Sequence, residues 1–220
     1  MFQRIIFSAA IAGLLSGFLV TLFQQIWITP IIRNAEKYEL KEVQNSRNDH
    51  HKNHTDKHIL SKPIFKTFIA NTITSISFAL LMISSGGFVK NFDTKRGFFW
   101  GIAGFIIFSL MPSIAIAPKL PGDISLPLSE HNLLWLLTTT CSAIGLLLIV
   151  FSKKNSIKFL GFIIFFLPHL ASFSISEFKL VGDLKIIQGK FHTIILITSL
   201  IFWSFLGTTS GYFFKKLNPN

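Results

Sequence analysis

The sequence predicts an all-α protein: a polytopic bundle of transmembrane helices forming one domain over residues 1–220. Half of the 220 residues are hydrophobic, and the mean hydropathy is +0.54. Charged residues make up 14% of the chain, against roughly 25% in soluble domains. The hydrophobic residues also collect in long stretches separated by polar segments. Because lipid offers no partner to an unpaired backbone group, such stretches cross a membrane as helices.

Six hydrophobic stretches are candidate spans: 5–27, 67–89, 97–116, 133–151, 159–173 and 191–214. A helix needs about 20 residues to cross the hydrocarbon core, and five of the stretches reach or approach that length. The fifth is short and carries Pro168 and His169, so it is a full span, a re-entrant segment or an outer-leaflet helix. We therefore expect six spans, or five. The first stretch exceeds the roughly 7–15 residues of a cleavable signal segment, and we interpret it as a retained helix.

Small residues recur at a spacing of four along three candidate spans. They are Ala9, Gly13 and Gly17 in the first span, Gly97 and Gly101 in the third, and Gly207 and Gly211 in the sixth. Such faces let helix backbones approach closely, so we expect them to be packing surfaces.

The basic residues predict the orientation. The net charge of +11 could indicate nucleic-acid binding, but the cations are spread in small groups between the spans, as in membrane proteins. With six spans, one side carries Arg4, Lys90, Lys95, Arg96, Lys153, Lys154, Lys158, Lys215 and Lys216. The short loops of the other side carry Lys119, Lys179, Lys185 and Lys190. This bias favours cytoplasmic termini. Segment 28–66 is then a polar, extracytoplasmic loop, which we expect to be disordered without metal.

That loop contains four histidines, called the loop histidines below: His50, His51, His54 and His58. Imidazole nitrogen is a preferred ligand for Co²⁺, Ni²⁺ and Zn²⁺, although ligand type alone does not separate these ions. His50, His54 and His58 would share one face if the loop became helical. The pattern predicts a capture site for a divalent metal ion. The alternative is a solvated His-rich loop that binds nothing.

His169 is the second candidate ligand. Pro168 removes a backbone donor and frees a carbonyl one turn earlier, and ion sites in broken membrane helices use such carbonyls. An ionisable residue at membrane depth is a functional hypothesis, weighed here against an interfacial histidine on a kinked helix end. His192 is expected at the headgroup level. The hydroxyl-rich stretches around Asn71 and in 138–142 are expected to bond to backbone or to neighbouring helices.

No enzyme signature is present in the sequence. It has neither a Walker-type glycine loop nor an H-E-x-x-H motif, and its single cysteine, Cys141, cannot form a disulfide within the chain. We expect no catalysis and no permanently bound cofactor.

Several motifs, in order along the chain, resemble those of the CbtA family of predicted cobalt transporter subunits. They are QQIWITP at 24–30, AEKYE at 35–39, RGFFWGIAGF at 96–105, PKLPG at 118–122, LPHL at 167–170, and FW at 202–203 followed by Gly207 and Gly211. The resemblance implies a cobalt uptake system of the inner membrane, usually described with five spans. It also implies a small single-span partner subunit with its own histidines (CbtB type).

Residue pattern and resemblance together predict a membrane subunit of a cobalt uptake transporter. The loop histidines and His169 would contact Co²⁺, or Ni²⁺ or Zn²⁺, as the transported ion. A candidate outer vestibule comprises Pro121, Gly122, Asp123, His131, Glu36 and Glu39. Two alternatives stay open: a metal-sensing or assembly protein that binds but does not transport, and a permease for another solute.

Overall fold

The computed structural model describes residues 2–46, 63–87, 92–118, 120, 128–172 and 183–217, and every regular element in them is helical. In chain order the helices are α1 (Phe2–Phe23), α2 (Thr29–Ser46), α3 (Pro63–Gly87), α4 (Thr94–Phe105), α5 (Met111–Ala115), α6 (Leu128–Phe151), α7 (Asn155–Ser172) and α8 (Asp183–Lys216). One π-helical turn, Gln24–Ile28, joins α1 to α2, and another, Ile106–Leu110, joins α4 to α5.

Five helical segments in the described residues are long and apolar enough to cross a membrane. They are Phe2–Lys37, Ile64–Gly86, Thr94–Ala115, Ser129–Phe151 and Ile186–Lys216. The prediction of an all-α, multi-span membrane protein is confirmed. The short fifth stretch is a helix as well, but its apolar part, Asn155–Leu170, is shorter than the other five.

The two termini lie at the same end of the bundle. Arg4 Nε donates to the carbonyl oxygen of Phe214 at 2.8 Å, and the guanidinium lies 3.8 Å from the centre of the Phe214 ring. The same end carries the start of α4, where Asp93 Oδ1 accepts a hydrogen bond from the Arg96 backbone N–H at 3.0 Å and caps the helix. That bond lowers the pKa of Asp93 below its ordinary value, and nearby cations such as Lys215 act in the same direction.

Small residues form the contacts between α1 and α3 and between α4 and α8, as their spacing of four in the sequence predicted. α1 packs antiparallel to α3, with Gly13 against the backbone of Ile76 and Gly17 against that of Thr72. α8 packs antiparallel to α4, and a Cβ at Gly97 would overlap the Gly207 carbonyl oxygen. α8 also contacts α1 and α3, so these four helices form one packed unit around a buried core.

α6 and α7 form a helical hairpin beside this four-helix unit. The two helices pack mainly on each other, and their backbones approach at Gly145 and Gly161. The hairpin meets the rest of the described chain chiefly through α5 and the π-helical turn before it. An apolar cavity of about 280 Å³ lies between α6 and the unit, lined by residues such as Phe78, Trp100 and Leu147.

The prediction of a disordered loop from residue 28 is wrong for its first part, because the chain is helical as far as Ser46. The π-helical turn accommodates Pro30: Thr29 N–H and Thr29 Oγ1 both bond to the Gln24 carbonyl oxygen. Ile28, Ile31 and Ala35 then follow at helical spacing and pack against α8. Burial of this stripe favours helix. Residues 47–62, including the loop histidines, lie outside the described residues.

Candidate metal-binding end of the bundle

The end of the bundle opposite the termini is called the histidine end, because His131, His169 and His192 all belong to it. His131 is near the start of α6 and His169 near the end of α7, and the antiparallel hairpin brings these helix ends to one side. His192 is near the start of α8. The antiparallel contacts of α8 with α4 and of Arg4 with Phe214 place that start opposite the termini.

Two sets of contacts join α2, α8 and the segment after α5 at the histidine end. Leu120, which follows α5, is buried in one apolar cluster with Ala35 of α2 and Phe191 of α8. Gln188 Nε2 donates to the carbonyl oxygen of Pro118 at 2.5 Å. The segment after α5 is therefore fixed against α8, and α2 covers the neighbouring face of the same helix.

Only part of the predicted site is within the described residues. The loop histidines and the vestibule residues Pro121, Gly122 and Asp123 lie outside them. Glu36 is exposed on α2, and Glu39 lies on the same helix with its side chain outside the description. Both acids were predicted on a loop; a helix positions them instead.

His169 is half-buried on α7, and its ring centre lies 6.2 Å from that of Phe166. The preceding Pro168 is buried, and the helix continues through it to Ser172. His131 is also half-buried, and its Nε2 has no hydrogen-bond partner among the described residues. Both imidazoles are thus inside the fold rather than on open polar loops.

The described residues contain no group of three or more His, Cys, Asp or Glu close enough to hold a metal ion. The structure therefore places three histidines at one end without joining them into a metal centre. Such separation is compatible with single contacts to a passing ion, which must bind weakly enough to leave again.

The comparison with known families decides the family of this chain. The family model described as "Probable cobalt transporter subunit (CbtA)" matches residues 2–215. The chain belongs to the CbtA family. No curated protein and no solved structure matches it. The match spans both the four-helix unit and the α6–α7 hairpin, so the CbtA assignment applies to the whole bundle, a multi-pass membrane protein of a transporter family.

The structure shows what two of the quoted CbtA motifs do. In the RGFFWGIAGF motif, a Cβ at Gly97 or Gly101 would overlap the backbone of α8, and a Cβ at Gly104 would overlap the ring of Trp203. Pro118, the first residue of the PKLPG motif, accepts the hydrogen bond from Gln188. Both motifs therefore have packing roles in this CbtA chain.

The hydroxyl-rich and amide-rich stretches bond within the bundle only in part, because Thr139 Oγ1 and Ser142 Oγ are buried without a hydrogen-bond partner among the described residues. Asn71 Nδ2 donates to Thr21 Oγ1 at 3.0 Å and to Gln24 Oε1 at 2.7 Å, which joins α3 to the first π-helical turn. Ser75 and Thr138 each donate to a carbonyl oxygen one turn earlier in their own helices. Asn71 thus holds the π-helical turn of the CbtA chain against α3.

Sequence reasoning did not single out Gln188. The sixth stretch was expected to begin at residue 191, which put His192 at the headgroup level. The helix begins earlier, at Asp183, so His192 lies about 14 Å along α8 from its start at 1.5 Å per residue, and its level in the membrane stays a prediction. The sequence signal that could have singled out the pair was the i, i+4 spacing of Gln188 and His192.

Proposed function

We propose that this chain is the membrane subunit of a cobalt uptake transporter, and that the loop histidines capture the ion on the outer side. The match to the cobalt transporter family over residues 2–215 is the observation that supports this proposal most strongly. The five apolar spans support it further, because a bundle of this kind can enclose a route across the bilayer.

The histidine end faces outward in this proposal. The opposite end carries Lys95, Arg96, Lys153 and Lys154, all exposed, and such clusters mark the cytoplasmic side. The described histidines then lie on the side from which an importer collects its ion, and Glu36 adds an exposed carboxylate there. Captured Co²⁺ would pass from the loop histidines towards the vestibule and His169.

The membrane potential supplies the driving force in this scheme. Moving one charge through 100 mV releases roughly 2.3 kcal/mol, so a divalent ion gains about 4.6 kcal/mol when it moves inward. The family description as a subunit implies a partner. We infer a small single-span subunit with its own histidines, which would extend the row of ligands across the membrane.

Replacement of the loop histidines tests the capture step. The variant with all four changed to serine should take up less cobalt at low external concentration and recover towards the parent at high concentration, because capture limits uptake only when the ion is scarce. A concentration series with radioactive cobalt measures both regimes. Four serine replacements of exposed residues elsewhere provide the control.

Three outcomes would contradict the proposal. An equal loss of uptake at all concentrations would assign the loop histidines to the conduction step. Full retention of activity would show that the loop histidines take no part in transport, and it would favour a permease for another solute. Binding of cobalt without any accumulation would favour the metal-sensing or assembly alternative.

A further inference from the structure

We infer that Gln188 and His192 form a cation-binding step at the histidine end of α8, where a divalent transition-metal ion such as Co²⁺ is held briefly in transit. The inference rests on the proposed function and adds a site to it. Neither residue belongs to the predicted capture loop or vestibule.

Gln188 Oε1 and His192 Nε2 are buried, and neither has a hydrogen-bond partner among the described residues. Gln188 is only 4% exposed, and its amide is fixed because Nε2 donates to Pro118. Buried polar groups without partners are costly. Several buried serine and threonine hydroxyls among the described residues also lack a partner, so the feature that distinguishes Gln188 and His192 is the type of their atoms and their spacing of one helical turn. An amide oxygen and an imidazole nitrogen are both donors of lone pairs to a metal cation.

The two side chains share one face of α8, because residues four apart are one helical turn apart. Their Cα atoms are separated by about 6 Å along the axis at 1.5 Å per residue. The same face continues to Trp203, whose Nε1 donates to Ser109 Oγ in the second π-helical turn at 3.0 Å. This face of α8 therefore contacts Pro118, after α5, through Gln188 and contacts the π-helical turn before α5 through Trp203. His192 lies between these two contacts.

The ligand set favours transit over structural metal binding. Gln188 and His192 lie in the first turns of the helical segment Ile186–Lys216, at its histidine end. Both ligands are neutral, and no third His, Cys, Asp or Glu joins them within the part of the chain that the structure describes. Two neutral ligands replace only part of a hydration shell, so they hold an ion weakly enough for it to move on.

The direct test uses the full chain, purified in detergent, with Cys141 changed to serine and the loop histidines changed to serine. In this background His192→Cys places a thiolate ligand at the inferred site. Addition of Co²⁺ should produce the near-ultraviolet charge-transfer absorption of a cobalt–thiolate bond. Thr193→Cys is the matched control, because Thr193 is the next residue but is exposed on another face, and it should give at most a much weaker signal. Equal signals from both variants, or none from His192→Cys, would overturn the inference.

The transport test uses His192→Leu and Gln188→Leu in cells that lack other cobalt importers. Each should weaken the apparent cobalt affinity of uptake by about tenfold or more, since even residues that only position metal ligands contribute about 10–100-fold. His192→Leu removes an unpaired buried nitrogen, so the purified variant should unfold at a temperature no lower than that of the parent.

The outcomes separate the inference from the proposed function. If the parent took up cobalt and His192→Leu took it up equally well, the inference would be overturned and the proposed transport function would stand. A large loss of thermal stability in His192→Leu would show a structural role and would also overturn it, unless His192→Cys still showed the cobalt–thiolate signal. If the parent itself failed to transport, the proposed function would fail, and the spectroscopic result would decide the binding site alone.

Discussion

The contact between α4 and α8 makes Gly207→Ala the most informative test of the fold. A Cβ built at Gly207 lies 2.8 Å from the Cα and the backbone nitrogen of Gly101, and it overlaps the Gly97 carbonyl oxygen. Ordinary carbon–carbon contacts lie at about 3.5–4.0 Å. The two helices would therefore have to separate by roughly 1 Å, because the obstructing atoms belong to the backbone and cannot rotate away.

Overpacking of this kind costs about 1–3 kcal/mol. The higher helix propensity of alanine offsets part of that cost, up to about 1 kcal/mol. We expect a net loss in the free energy of unfolding of about 1–2 kcal/mol. Gly189→Ala is the matched control on the same helix, since a Cβ there meets nothing within 4 Å, and it should be neutral or stabilising.

Reversible unfolding of the purified protein in mixed micelles measures both variants. Tryptophan fluorescence is a suitable signal, because Trp203 lies at the α4–α8 contact and packs against Gly104. If Gly207→Ala were as stable as the parent and as Gly189→Ala, the two helix backbones would not be in contact, and the described core of the bundle would be wrong.

Two further predictions concern topology and the ion path. Asn53→Cys should react with an impermeant thiol reagent in cells stripped of their outer membrane, with Cys141 changed to serine to remove the native thiol; labelling only after lysis would reverse the orientation. His169→Ala should impair cobalt uptake more than a change of any single loop histidine, because His169 is half-buried within α7. With the loop histidines changed to serine, uptake should also fall as the outside is acidified, since a protonated imidazole offers no lone pair to a cation, and His169→Ala in that background should lose part of the response. A parental rate with an unchanged pH profile would leave His169 as a packing residue.

The sequence was sufficient to predict the class of fold and several of its contacts. Hydropathy located the five long helices, because a span must be continuously apolar and helical in lipid. The spacing of Gly97, Gly101, Gly207 and Gly211 identified the faces of α4 and α8 that meet. A repeat of small residues has few other uses in a membrane helix, so this signal was specific.

The extents of the first and last helices were harder to predict. Pro30 normally marks a helix boundary, and the π-helical turn that carries the helix past it depends on bonds to Gln24. The second π-helical turn likewise ends two residues before a proline, Pro112. The start of α8 was missed because Gln188 and Lys190 lower the local hydropathy, although the tertiary contacts of Phe191 stabilise helix there.

The residue types of the candidate site remain a prediction from the sequence, and their arrangement could not be predicted. Histidine spacing alone indicates ligands, but which imidazole is buried depends on the packing of α6, α7 and α8. His192 shows this dependence, because the burial of its Nε2 and the lack of a partner for that atom among the described residues follow from its neighbours. No local pattern contains that information.

Accumulation of radioactive cobalt tests the central claim most directly. Cells that lack other cobalt importers would express this chain together with its partner subunit, and matched cells would express the partner alone. The account predicts accumulation that requires the chain, that falls when the membrane potential is collapsed, and that exceeds accumulation of a charged non-metal solute. Equal cobalt accumulation with and without the chain, in cells where the chain is present in the membrane, would contradict a role in cobalt uptake.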